Sequence, residues 1–261
     1  GGPASFRAVR LKPIVNEIGS GAAAQPEVRW ECRLSPLDPE AALPEELPAG
    51  DLTAEYASLW SGFLREWSAN CVPDPWAFIN RAMSVLERYT WCIPSATNVY
   101  PDISLFDHLK TTAAIVGCLA LPGADADAPF LLATLDFGGI QKYLFDIQAG
   151  AGGYARRLRA RSLSVSLAGE SAAYHVLRAL GLPLTNCILS AGGHYTLLLP
   201  NSPDALAAID EARVLLERWS RDEVACELQP HIAVLPLAAD QLRAFPAAMR
   251  RLGVRLEQEK A

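Results

Sequence analysis

The stretch NCILSAGGHYTLLLP, residues 186–200, places two short apolar runs on either side of Gly192-Gly193. A two-residue turn between antiparallel strands needs positive φ at its centre, and glycine supplies that without a Cβ clash. The segment therefore predicts a β-hairpin. Upstream, Ala155 to Leu180 is a helical pattern ended by Gly181 and Pro183. Before it come FLLATLDF (130–137), an apolar and β-rich run, then Gly138-Gly139, a short helix IQKYLFDI and the glycine-rich AGAGG. Downstream, Pro203 to Ser220 reads as a helix, ACELQPHIAVLP as a last strand, and residues 240–258 as a closing amphipathic helix. Strand, helix, strand-turn-strand, helix, strand is the βαββαβ plan of a ferredoxin-like sheet with helices on one face.

The first half of the chain reads differently. FRAVRLKPIV and VRWECRLSPL predict two short strands around the loop EIGSGAAAQPE. Helices are expected from Asp51, from Pro75 to Tyr89, and from about Ser104 to Leu119. The run PGADADAP (122–129) is polar, proline-bounded and aperiodic, so it reads as a linker. The expected domains are 1–124, mostly helical, and 125–261, the ferredoxin-like sheet. Together they give an α+β chain with a βαββαβ sheet preceded by a small, mostly helical domain.

With 51% hydrophobic residues, the 261-residue chain can bury a sizeable core. A net charge of -6 argues against coating nucleic acid by bulk charge and leaves room for a local basic patch. No apolar run approaches the ~20 residues of a membrane helix, and GGPASFRAVRLKPIV lacks the charged-then-apolar layout of a signal peptide. The start at Gly1-Gly2-Pro3, without an initiator Met, reads as an expression remnant or the edge of a piece from a longer chain. The six cysteines lack metal-knuckle spacing, so they read as small buried hydrophobes of a cytoplasmic protein, not a zinc site.

Nucleotide-polymerising palms and nucleotidyl cyclases share the βαββαβ plan, though fold alone does not fix function. Asp136 ends the first strand, and Gly138-Gly139 lead into a helix N-terminus suited to a phosphate. The plain alternative is a tight strand-to-helix turn capped by Asp136. A palm that transfers nucleotidyl groups holds two metal ions with carboxylates from the first strand and the hairpin. Here the hairpin positions after the glycines are His194 and Tyr195, which are not the hard anionic oxygens magnesium prefers. The sheet is thus expected to hold no catalytic residue and no metal site of its own. Arg156, Arg157, Arg159 and Arg161 crowd the start of the long helix, against its dipole. They read either as contacts to RNA or another phosphate, or as a solvated face. Asp107-His108 resembles the pair of metal phosphohydrolases, but only four histidines exist and none precedes it, so a helix cap and a packed His108 are expected. Trp60, Trp67, Trp76 and Trp91 are expected in the core of the helical layer.

Three stretches in one order, PDISLFDHLKTTAAIVGCLAL (101–121), LDFGGIQKYLFDI (135–147) and LRARSLSVSLAGESAAYHVLRALGLPLTNCILSAGGHYTLLLPN (158–201), carry a resemblance. Over about residues 50 to 260 the chain resembles the large subunit of type III CRISPR-Cas effector complexes, best in its III-A (Csm) form. The family combines an HD nuclease, a first palm, a zinc-bearing insert, a second palm with a GGDD motif and a helical domain. This chain resembles the linker helices and first palm alone. The resemblance implies a target-RNA-activated complex that converts ATP to cyclic oligoadenylate between two facing palms. The second palm, outside these residues, would hold Mg or Mn. It implies that Asp136, Phe137, Gly138, Gly139, Ile140 and Gln141 line the ATP site, with Ser190, Gly192, Gly193 and His194 at the hairpin. DFGG departs from the usual D-SG, which puts a hydroxyl contact at position 138 in doubt. Neighbouring complex subunits and CRISPR RNA are the implied partners, with target RNA met indirectly. A scaffold that anchors RNA and subunits without touching nucleotide is the alternative.

Overall fold

The computed structural model describes residues 6–18, 29–146 and 153–261. Most of the loop EIGSGAAAQPE and of the AGAGG run, and Val28 at the head of VRWECRLSPL, lie outside them. The chain divides into two compact units, Gly1–Thr112 and Ala113–Ala261, with the division inside a helix.

In the first unit the helices are α1 (Thr53–Ser68), α2 (Pro75–Thr90) and the first half of α3 (Leu105–Ala120). Asp74 accepts a hydrogen bond from the Ala77 amide at 2.7 Å and Pro75 takes the first turn, so α2 starts where its sequence says. Ser104 and Asp107 start α3 in the same way: Ser104 Oγ accepts from the Asp107 amide at 3.0 Å and donates to its carboxylate at 2.7 Å. Leu59 of α1 and Val85 and Tyr89 of α2 close over Leu11, Cys32, Leu34 and Cys92.

The two expected N-terminal strands are not formed. Phe6–Ala8 and Ile14–Asn16 are 3-10 turns, and Glu31 and Glu45 make an isolated bridge. The reason is local. The Asn16 carboxamide accepts from the amides of Arg29 and Trp30 and donates to the Trp30 carbonyl at 2.8 Å, taking the place of a paired strand. Pro13 supplies no amide for a ladder. Two further expectations change. His108 is exposed, not packed. Trp60 and Trp67 stack on either side of Phe63, yet Trp60 remains 60% exposed, so this stripe is surface and not core.

The second unit continues with β1 (Phe130–Gly138), α4 (Ile140–Phe145), α5 (Tyr154–Ala179), β2 (Cys187–Ala191), β3 (His194–Pro200), α6 (Pro203–Val224), β4 (Gln229–Leu237) and α7 (Phe245–Lys260). The sheet order is β2-β3-β1-β4, antiparallel at every pairing. This is the βαββαβ order expected from the sequence, but helices cover both faces of the sheet and not one, because both faces are apolar along β1.

Side chains alternate across each strand. Leu131, Ala133, Leu135 and Phe137 of β1 face α5 and α6, whose inner surfaces are rich in alanine (Ala172, Ala173, Ala208, Ala212) and so approach closely. Phe130 and Leu132 point the other way with Leu198, Leu235 and Leu237. That second face is covered by Ala248, Leu252 and Leu256 of α7, spaced at every fourth residue, and by Ala114 and Cys118 of α3. Each fully buried leucine stabilises the unit by roughly 1.5–3 kcal/mol. Burial on both sides explains why β1 reads as a continuous apolar run.

Polar groups inside this core are paired. Asn186, with no exposed surface, donates to the carbonyls of Ala114 (3.1 Å) and Leu198 (2.8 Å) and so ties α3 to β3. β4 is an edge strand. Its Ile232 and Val234 carbonyls accept from Arg213 of α6 and Arg255 of α7, which closes the edge to a further strand.

Candidate functional site

Both faces of the sheet are apolar toward the Phe130 end of β1. Toward its Gly138 end, the face that α7 covers becomes polar. Residues of one strand face repeat every second position, so Thr134 and Asp136 share it. The register adds the rest: Thr134 pairs with Thr196, Asp136 with His231, and His194 enters two residues before Thr196. Asp136, His194, His231, Thr134 and Thr196 thus come from three strands onto one patch.

The patch is internally connected. The Thr134 hydroxyl donates to the Tyr195 carbonyl at 3.1 Å, which leaves its oxygen to accept from His194 Nε2, also at 3.1 Å. The other ring nitrogen, His194 Nδ1, faces Asp136 Oδ1 at 3.9 Å. The second oxygen of Asp136 meets Lys260 Nζ, from the last turn of α7, at 2.8 Å. Lys260 also contacts Glu257 at 2.9 Å. The hydrogen bond to Asp136, then that to Glu257, holds the Lys260 ammonium above its ordinary pKa. His231 Nδ1 lies 3.2 Å from the Glu259 carbonyl and pins that same turn of α7.

The glycines acquire specific reasons. A Cβ on Gly138 would lie 2.9 Å from His231 Nε2, so its missing side chain makes room for the imidazole. Gly139 has φ +86°, and a Cβ there would lie 2.4 Å from the Glu227 carbonyl oxygen. It caps α4, which at six residues is too short to present a strong dipole. At the hairpin both glycines have positive φ, as a type I′ turn requires. Gly193 packs under Ile140 and Val165, whereas Gly192 faces open space.

The predicted residues therefore divide. Asp136 and His194 belong to the polar patch, while Gly192 turns the hairpin two residues before His194. Gln141 is exposed on α4, and Ile140 is partly buried against the α5 side. Phe137 is buried on the α5 and α6 side against Trp219. Ser190 pairs with Tyr195 and shares its α5-facing side of the hairpin. Tyr195 is buried there too, donating to the Ser166 carbonyl at 2.7 Å; burial, then nearby Glu170, pushes its phenol pKa up. Of the arginines, Arg161 stacks on the Tyr143 ring at 4.9 Å and donates to the carbonyls of Tyr143 and Asp146, capping the end of α4. Arg156 and Arg159 are exposed on the first turns of α5. Lys260, His231, Thr134 and Thr196 were not singled out by the sequence; the β4 alternation His231, Ala233, Leu235, Leu237 was the available signal for one of them.

Chemically, the patch presents one strand-borne carboxylate already matched by an ammonium. Among the described residues no group of three or more His, Cys, Asp or Glu side chains is placed to hold a metal ion. A pair of divalent ions is a poor fit to a strand-end carboxylate flanked by a lysine and a histidine. A phosphate oxygen could meet the third N–H of the Lys260 ammonium beside the His194 ring.

The second unit is a ferredoxin-like sheet with an acidic end to its first strand and a type I′ hairpin. A family model described as Csm1 subunit domain B matches residues 129–261, just over half of the chain. The chain belongs to the Csm1 family, with that domain in its second half. It is 30% identical over 197 residues to the Thermococcus onnurineus protein described as the CRISPR system single-strand-specific deoxyribonuclease Cas10/Csm1 of subtype III-A. That alignment covers 69% of this chain and 25% of the relative, so the chain spans about a quarter of that protein's length. Among solved structures it is similar to a Csm1-Csm4 cassette in complex with cA4, with TM-score 0.76 and 27% identity over 89% of this chain and 33% of the other. It is also similar to a Csm1-Csm4 cassette in complex with one ATP, with TM-score 0.74, 28% identity and the same coverage.

Proposed function

We propose that residues 125–261 act as the palm that binds ATP without metal ligands of its own, in the large subunit of a type III-A CRISPR complex, with 1–124 as its helical neighbour. The observation that carries this is the polar patch of Asp136, His194 and Lys260, where a palm would otherwise gather carboxylates. A second palm with a GGDD motif supplies the Mg or Mn and the bond-forming chemistry that yields cyclic oligoadenylate. These residues bind and orient the phosphates. ATP and cA4 complexes of Csm1-Csm4 relatives support the reading, and a Csm4-like subunit is the proposed protein partner. CRISPR RNA is the further partner, and the intact complex works in the cytoplasm. Among the described residues no helix is long and apolar enough to cross a membrane.

Gly192→Asn tests the site with little risk to the fold. Asparagine tolerates the left-handed region, and a Cβ at 192 meets nothing within 4 Å. The variant is expected to keep its thermal stability and to bind ATP about fivefold more weakly by calorimetry, a loss near 1 kcal/mol. Unchanged affinity would remove the hairpin from the site.

Exposed Arg156 and Arg159 favour a second reading, a scaffold that anchors RNA and subunits. In that case Arg156→Glu with Arg159→Glu abolishes assembly, and Gly192→Asn leaves ATP binding unchanged.

A further inference from the structure

Asp136, the acidic residue at the end of β1, has a resident cation: Lys260 Nζ, 2.8 Å from Oδ2. Three features set that cation in place. The absent side chain of Gly138 admits the His231 ring, since a Cβ would come within 2.9 Å of Nε2. His231 Nδ1 holds the Glu259 carbonyl at 3.2 Å, fixing the last turn of α7 against β4. The next residue, Lys260, then reaches across to Asp136, 124 positions earlier in the chain.

Its two acceptors are unequal. Asp136 has a side chain 20% exposed and belongs to the sheet, while Glu257 is 72% exposed on the helix surface. An ammonium has three N–H donors, and Asp136 and Glu257 account for two. An exposed carboxylate paired at i, i+3 is held weakly. An incoming anion can take the third donor and displace Glu257, while Asp136 keeps the ammonium in position. His194, 3.9 Å from the other oxygen of Asp136, flanks the same point.

We propose that Lys260 is a phosphate-binding residue: its ammonium, seated on Asp136, takes a phosphate oxygen of the bound nucleotide in exchange for the Glu257 carboxylate. A fixed side-chain cation thereby serves at the strand end in place of a divalent ion. This rests on the nucleotide reading above, and it assigns the phosphate end of that nucleotide to a residue outside every predicted motif.

The test is calorimetric titration of the intact protein with ATP and with adenosine, at low and high salt. Lys260→Ala is expected to bind ATP about tenfold more weakly and adenosine unchanged, with a shallower salt dependence. Lys260→Arg should recover most of the ATP affinity. Glu257→Gln should tighten ATP binding about twofold to threefold by removing the competing carboxylate. If the unaltered protein binds ATP and Lys260→Ala binds it equally well, the assignment of Lys260 is wrong and the nucleotide reading stands. If the unaltered protein binds no ATP, both fall. Equal losses for ATP and adenosine would mean that Lys260 only supports the fold, which also overturns the proposal.

Discussion

Gly139→Ala is expected to destabilise the sheet-bearing unit by about 3 kcal/mol, from left-handed strain together with overpacking. Two constraints meet at this residue. Its φ is +86°, where a side chain is strained, and a Cβ would sit 2.4 Å from the Glu227 carbonyl oxygen. That oxygen is backbone, so no rotamer change relieves the contact. Either β1 and α4 separate from the segment leading into β4, or the turn unwinds. Gly192→Ala is the control, because it has the strain of positive φ but open space around its Cβ. It should cost only about 1 kcal/mol. Denaturant midpoints of the two variants measure the difference, and equal midpoints would show that the Glu227 contact carries no energy. Because Gly139 joins the Asp136 strand end to α4, its replacement should also weaken nucleotide binding, whereas Gly192→Ala should leave α4 in place.

The second large effect is expected at Asn186. Leucine has the same branching but is bulkier, so Asn186→Leu leaves no cavity, and it removes the donor shared by the Ala114 and Leu198 carbonyls. The Ala114 carbonyl keeps its place in the α3 ladder and the Leu198 carbonyl keeps the weak Cys118 thiol donor at 3.4 Å, so losing the two amide hydrogen bonds costs about 1–3 kcal/mol. The loss is local in origin. Amide exchange should rise first in residues 113–120 and along β3, before α5 and α6 respond. Uniform acceleration across the unit, or none, would contradict the role of Asn186 as the tie between α3 and β3.

Much of the architecture can be read from residue order. The apolar run 130–137, the Gly-Gly hairpin and the helix stop at Gly181 specify βαββαβ, because each local preference agrees with the whole. The N-terminal strands fail for a reason that periodicity does not carry: one side chain, Asn16, replaces the backbone partner that alternation implied. The exposed Trp60 and Trp67 show the same limit, since an apolar stripe marks a helix face without saying what covers it. At the site, Asp136, His194 and the glycines are visible as a motif. Lys260 and His231 are not, because strand register and the seating of α7 bring them there from the far end of the chain. Arg161 looked like a free positive charge and is spent on the carbonyls that end α4.

The most direct test is a crystal structure of the intact protein grown with ATP and Mn2+, with anomalous maps at the manganese edge. The nucleotide phosphates are predicted to lie against Asp136, Gly192, His194 and Lys260, with every manganese held chiefly by ligands outside residues 1–261. Two manganese ions bound wholly by side chains of this chain, or ATP seated away from that patch, would contradict the account.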